Sequence, residues 1–119
     1  MKVDVWSDVV CPWCFIGLAN LDVALEELGE DVDVELHSFQ LDPRAVTRTA
    51  EEHLGDLARK YGTTVDEVRA RQGHLERMGA ERGIDFRFDR SVTGNTHDAH
   101  RLLHLARERG VQRELKTRL

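Results

Sequence analysis

Proline and cysteine are scarce in this 119-residue chain, with two of each: Pro12 and Pro43, Cys11 and Cys14. Two cysteines three positions apart are too few for a disulfide scaffold and too close together to staple distant elements, so their use is local. No apolar run approaches the roughly 20 residues a membrane span requires. The opening Met-Lys-Val-Asp-Val-Trp-Ser-Asp puts acids where a signal peptide needs its apolar region, so a cytoplasmic chain with no membrane partner is expected. There is no basic stripe either. The 17 Lys and Arg interleave with 22 Asp and Glu for a formal charge of -5, which argues against nucleic acid as a partner. No internal repeat or low-complexity segment is visible. What is there is the composition of one globular domain, 40% hydrophobic and 33% charged.

Val3 and Val5 alternate with Lys2 and Asp4, and Trp6 adds β-favouring bulk, so Lys2 to about Asp8 reads as a strand. From Pro12 to Leu28 apolar residues cover most of a helix circumference, Gly29 stands where a stop belongs, and such a helix needs cover on several sides. Val32, Val34 and Leu36 then alternate with polar residues up to Pro43, a second strand. A helical crossover between two strands implies a right-handed parallel βαβ unit, placed at residues 1–45.

After Pro43 the chain turns helical. Thr49 with Glu52 and Thr64 with Glu67 are capping boxes that open helices over about Ala50–Lys60 and Val65–Glu81. Ile84, Phe86 and Phe88 lead to Asn95-Thr96, suited to cap a helix from Thr96 to Arg109, with Ala99, Leu102, Leu103 and Ala106 on one face. Val111, Leu115 and Leu119 keep helical spacing with no stop signal after them. The expectation is a mostly helical insert over residues 46–119, cut short at its C-terminal end. Two parallel strands make a poor sheet, so either the chain is a fragment or another copy supplies the missing cover as a homo-oligomer.

Cys11-Pro12-Trp13-Cys14 sits where the first strand gives way to the helix. Cys11 falls near the N-cap, where unpaired N–H groups and the positive end of the helix dipole favour a thiolate, which marks it as the nucleophile. Pro12 suits the first helical position because its fixed φ matches the helix and its missing N–H had no partner there. Cys14 lies about one turn on, near enough to close a disulfide and less accessible, which marks it as the resolving thiol. A substrate thiolate would attack Cys11, and Cys14 or a second thiol would resolve the mixed disulfide; redox potential sets the direction. Trp13 between the thiols, and Phe15 one turn on, offer apolar surface to a peptide substrate. Two blander uses compete: inert packing, or half of a zinc site. Zinc would need two more ligands, and the nearest histidine, His37, lies at the far end of the second strand, so no metal and no cofactor beyond the Cys11–Cys14 disulfide is expected.

Asp8-Val9-Val10-Cys11-Pro12-Trp13-Cys14 followed by Ile16-Gly17 resembles the DsbA-type thioredoxin-fold oxidoreductases, the FrnE-like branch in particular. The likeness extends to Ser38-Phe39-Gln40-Leu41-Asp42-Pro43 and to Asn95-Thr96 with Ala99-His100-Arg101-Leu102. It implies a thioredoxin-like α/β fold interrupted by a helical insert, and thiol–disulfide exchange at Cys11 and Cys14, with Pro12 and Trp13 tuning the pair. It also implies two further strands, a closing helix and a cis-proline loop facing the pair, whereas neither proline here precedes a late strand. Relatives with serine for the first cysteine, the kappa-type glutathione transferases and isomerases, fit worse because both cysteines are present.

His97, His100 and His104 share one helical face, read as a solvated surface with a weak metal site as the alternative. Asp8 reads as a solvated loop acid, with an effect on the thiols as the alternative. The expected function is therefore a disulfide oxidoreductase acting on protein or peptide thiols with a separate redox partner; the rival is a non-catalytic, chaperone-like polypeptide-binding module.

Overall fold

The computed structural model describes all of residues 1–119. Two strands, β1 (Lys2–Ser7) and β2 (Asp33–Ser38), pair in parallel in the register Lys2↔Asp33 through Ser7↔Ser38. The crossover between them is α1 (Pro12–Leu28), with Pro12 at its start and Gly29 closing it at φ 65° while its N–H returns to the Leu25 carbonyl at 3.2 Å. Glycine is needed there because a Cβ is strained in that left-handed conformation.

The chain forms two compact units, one of Met1–Arg44 with Asn95–Leu119 and one of Ala45–Gly94. The stretch expected as a single helical insert over 46–119 is therefore divided, its last 25 residues joining the βαβ unit. There they form α4 (His97–Glu108) and α5 (Gln112–Arg118). Gln112 Nε2 donates to the Leu36 carbonyl and Arg113 to the Leu18 carbonyl, each at 3.4 Å, so the first turn of α5 is pinned to both β2 and α1. Arg113 also pairs with Asp22, and Arg107 with Glu35. The buried apolar residues of this unit are Ile16, Leu18, Leu36, Leu103 and Ala106, and each large one contributes about 1.5–3 kcal/mol by leaving water. α1 is covered only over its first turns: Ile16 and Leu18 are buried, whereas Val23 and Leu28 further along are exposed.

The face of α4 is turned from the expected one. His100, Leu103 and Ala106 point inward, and Leu102 is 52% exposed. Apolar spacing alone favours Leu102, but an inward histidine costs little when a buried acid stands ready to receive its ring nitrogen.

In the second unit α2 (Ala50–Tyr61) and α3 (Val65–Glu81) pack through Leu54, Ala58 and Val68. Thr49 forms the full reciprocal box with Glu52, while Thr64 accepts the Glu67 N–H without the return bond. Gly79 on α3 lets the Phe86 ring lie against the backbone; a Cβ there would meet ring carbons at 2.6 and 2.7 Å. No helix is long and apolar enough to cross a membrane.

Candidate redox site

β1 delivers the chain to the carboxyl ends of both parallel strands, and α1 starts there, the position in open α/β sheets where ligands and reactive groups gather. Cys11 is the N-cap of α1, with no side-chain cap bond, and its carbonyl accepts the Cys14 N–H at 3.1 Å. Pro12 occupies the first turn, Cys14 the third helical position, and both thiols are free and half-buried. The Cys11 and Cys14 side chains lie within hydrogen-bond reach of one another, so the expected pair is assembled.

The electrostatics of Cys11 run against the expected lowering. Burial comes first, and then the neighbouring Cys14 sulfur, which holds the Cys11 proton in a hydrogen bond and repels a second negative charge. Together they push the Cys11 thiol up to about 11, although the N–H groups of Cys14 and Trp13 at the helix start pull it down.

Asp8, read as a solvated acid, is the most deeply buried large side chain, 1% exposed. Its Oδ1 accepts the Val9 N–H at 2.8 Å and faces His100 Nε2 at 2.9 Å, and its Oδ2 accepts the Leu41 N–H at 2.8 Å. Burial pulls the carboxyl up, but the Leu41 N–H, the Thr96 hydroxyl, His100 and the Val9 N–H outweigh it and hold it below its ordinary value. One carboxylate thus ties together the approach to Cys11, the segment after β2 and the start of α4.

Of Asn95-Thr96, expected to cap α4, Asn95 does so, its Oδ1 accepting the His97 N–H at 3.0 Å, while Thr96 has no cap bond and is turned to Asp8. Asn95 Nδ2 donates to the Pro43 carbonyl at 2.8 Å and Gln40 Nε2 to Asn95 Oδ1 at 3.2 Å. Of the three histidines placed on one solvated face, His100 is buried, His97 is exposed, and His104 meets Ser38 Oγ at 2.9 Å. They do not converge on a metal site. Asp4, Glu35 and His37 bring ligand atoms together instead, but Lys2 and Arg107 already pair with those acids. Trp13 is 55% exposed, and Phe15 is half-buried under the Lys116 ammonium. Lys116 and the Asp8–His100 pair escaped the sequence reading. The one available signal was a lysine on the Val111–Leu115–Leu119 helix beside Leu115. A cleft of about 810 Å³ in the helical unit, beside Leu54, Phe86 and Phe88, holds neither cysteine.

The family model described as a DSBA-like thioredoxin domain matches residues 2–119. A probable DsbA oxidoreductase from Streptomyces coelicolor, solved as a crystal structure, superposes with a TM-score of 0.84 at 37% identity over 94% of this chain and 49% of that one. The uncharacterized protein YwbO of Bacillus subtilis is 29% identical over 100% of this chain and 54% of its own length. The chain spans about half the length of the relatives it matches.

Proposed function

Because the chain belongs to the DsbA-like thioredoxin-domain family, we propose that it carries the redox centre of a thiol–disulfide oxidoreductase, with Cys11 as the attacked sulfur and Cys14 as the resolving one. The observation that carries this reading is the placement of two free, half-buried neighbouring thiols on the first turn of α1 at the carboxyl end of a parallel pair. Thiol exchange needs this arrangement: one sulfur at the helix mouth for an incoming thiolate, and a second behind it to accept the electron pair. Pro12 sets the turn, and exposed Trp13 gives the apolar surface against which a protein or peptide thiol docks. The disulfide itself is the only redox group required. A cytoplasmic setting suits a transient disulfide that a separate redox partner resets.

The test uses the complete protein, equilibrated in glutathione buffers, trapped by alkylation and weighed. Reversible loss of two hydrogens, with catalysed oxidation or reduction of a two-cysteine peptide that Cys11→Ser abolishes, supports the proposal. A wild type no faster than Cys11→Ser overturns it. If Cys11→Ser then still captures an unfolded polypeptide as tightly as the wild type, the polypeptide-binding reading takes its place; the exposed Trp6 and Trp13 are what favour it.

A further inference from the structure

Lys116 is the one buried cation of the chain, 3% exposed, although its residue type almost never leaves water unpaired. Its helix is held in place by Gln112 on β2 and Arg113 on α1. That brings Nζ to 5.8 Å from the centroid of Phe15, the residue directly after Cys14. Lys116 makes no ion pair. The charged groups that act on it are Cys14, Asp8 and Cys11, with Arg113 on its own helix opposing them. Asp8 is already committed to Val9, Leu41, Thr96 and His100. Burial pulls the ammonium below the ordinary lysine value, while negative charge on Cys14 and Asp8 pulls it back. Cys14 is the first of the negative groups that favour this cation, ahead of Asp8 and Cys11, and a buried cation needs such charge to offset its burial.

We propose that Lys116 is the cation that stabilises the thiolate left on Cys14 when the Cys11–Cys14 bond breaks. This rests on the redox reading above. A substrate thiolate attacks Cys11 Sγ; the S–S bond breaks and its electron pair leaves on Cys14 Sγ, on the residue before Phe15, over whose ring the ammonium lies. The second substrate thiolate then attacks the substrate sulfur bound to Cys11 and releases Cys11 with its electron pair. The substrate is oxidised by two electrons, the pair is reduced by two, and the two substrate protons pass to solvent or to the released thiols. Stabilising the reduced form makes the pair a stronger oxidant.

The experiment compares wild type, Lys116→Met and Lys116→Arg in the complete protein, reading the glutathione equilibrium and the pH profile of alkylation at each cysteine. Methionine keeps the contact with Phe15 and removes the charge. Expected are an equilibrium moved about tenfold toward the disulfide, a thiol profile moved up by about one pH unit, and near wild-type values for arginine. Unfolding midpoints equal to or above wild type in Lys116→Met would show that the fold is kept; should it not fold, Lys116→Gln makes the same comparison. A wild type that exchanges with the same equilibrium and pH profile as the charge-free variant overturns the role of Lys116. A wild type that does not exchange at all overturns the redox reading instead.

Discussion

Asparagine at position 8 keeps the volume of the aspartate and removes its charge, which isolates what the carboxylate contributes at the point where three segments meet. Oδ1 serves Val9 and His100 while Oδ2 serves Leu41. An amide has only one oxygen, so its NH2 must face one of these N–H donors. Keeping Oδ1 toward Val9 and His100 sets that NH2 against the Leu41 N–H, and the Thr96 hydroxyl has to turn from donor to acceptor. A buried donor left without a partner costs about 1–3 kcal/mol, and hydrogen bonds to a charge exceed neutral ones by about 1 kcal/mol each. Asp8→Asn is therefore expected to lose about 3–4 kcal/mol of unfolding free energy at pH 7. The two tryptophans, Trp6 and Trp13, both lie in the unit that Asp8 ties together, so urea unfolding followed by fluorescence reports on it. The sign with pH is fixed. The folded-state carboxyl is held below its ordinary value near 3.8, so its stabilisation is complete above that value and is lost as pH falls through the lower folded one. The gap between wild type and Asp8→Asn should be constant above about pH 5 and shrink below about pH 4. A loss under about 1 kcal/mol at pH 7, or a gap that ignores pH down to 3, would refute the reasoning.

Three further outcomes are expected. In Cys14→Ala the sulfur that holds the Cys11 proton and repels its charge is gone while the helix-start N–H groups remain, so the Cys11 alkylation profile should move down from about 11; an unchanged profile would contradict the pairing. Gly79→Ala sets a methyl against the Phe86 ring at 2.6 Å and should cost about 1–3 kcal/mol by overpacking, despite the helix propensity gained, as read by urea unfolding of the helical unit. Thr49→Ala removes the cap of α2 and should cost about 1 kcal/mol in the same assay, whereas a neutral result would mean that the box contributes nothing.

Local rules sufficed where local physics decides. Pro12 after the cysteine, Gly29 and Gly62 past the helix ends, and the Thr49 and Thr64 caps place α1, α2 and α3 from the sequence alone, and alternating valines place both strands. The Cys-Pro-Trp-Cys turn is legible for the same reason: its chemistry lies within one helical turn. Tertiary structure decided everything that depends on residues far apart in the chain meeting in space. Whether Asp8 is solvated or buried depends on Leu41 and His100, 33 and 92 positions away. Once that acid is inside, His100 displaces Leu102 from the inner face of α4, and Thr96 leaves its helix cap. Lys116 looks like any charged residue on a short helix until α5 docks on β2 and α1 and carries it out of water. The Cys11 thiol follows the same logic. The helix start argues for a low value, but burial and the adjoining sulfur, supplied only by the folded chain, outweigh it.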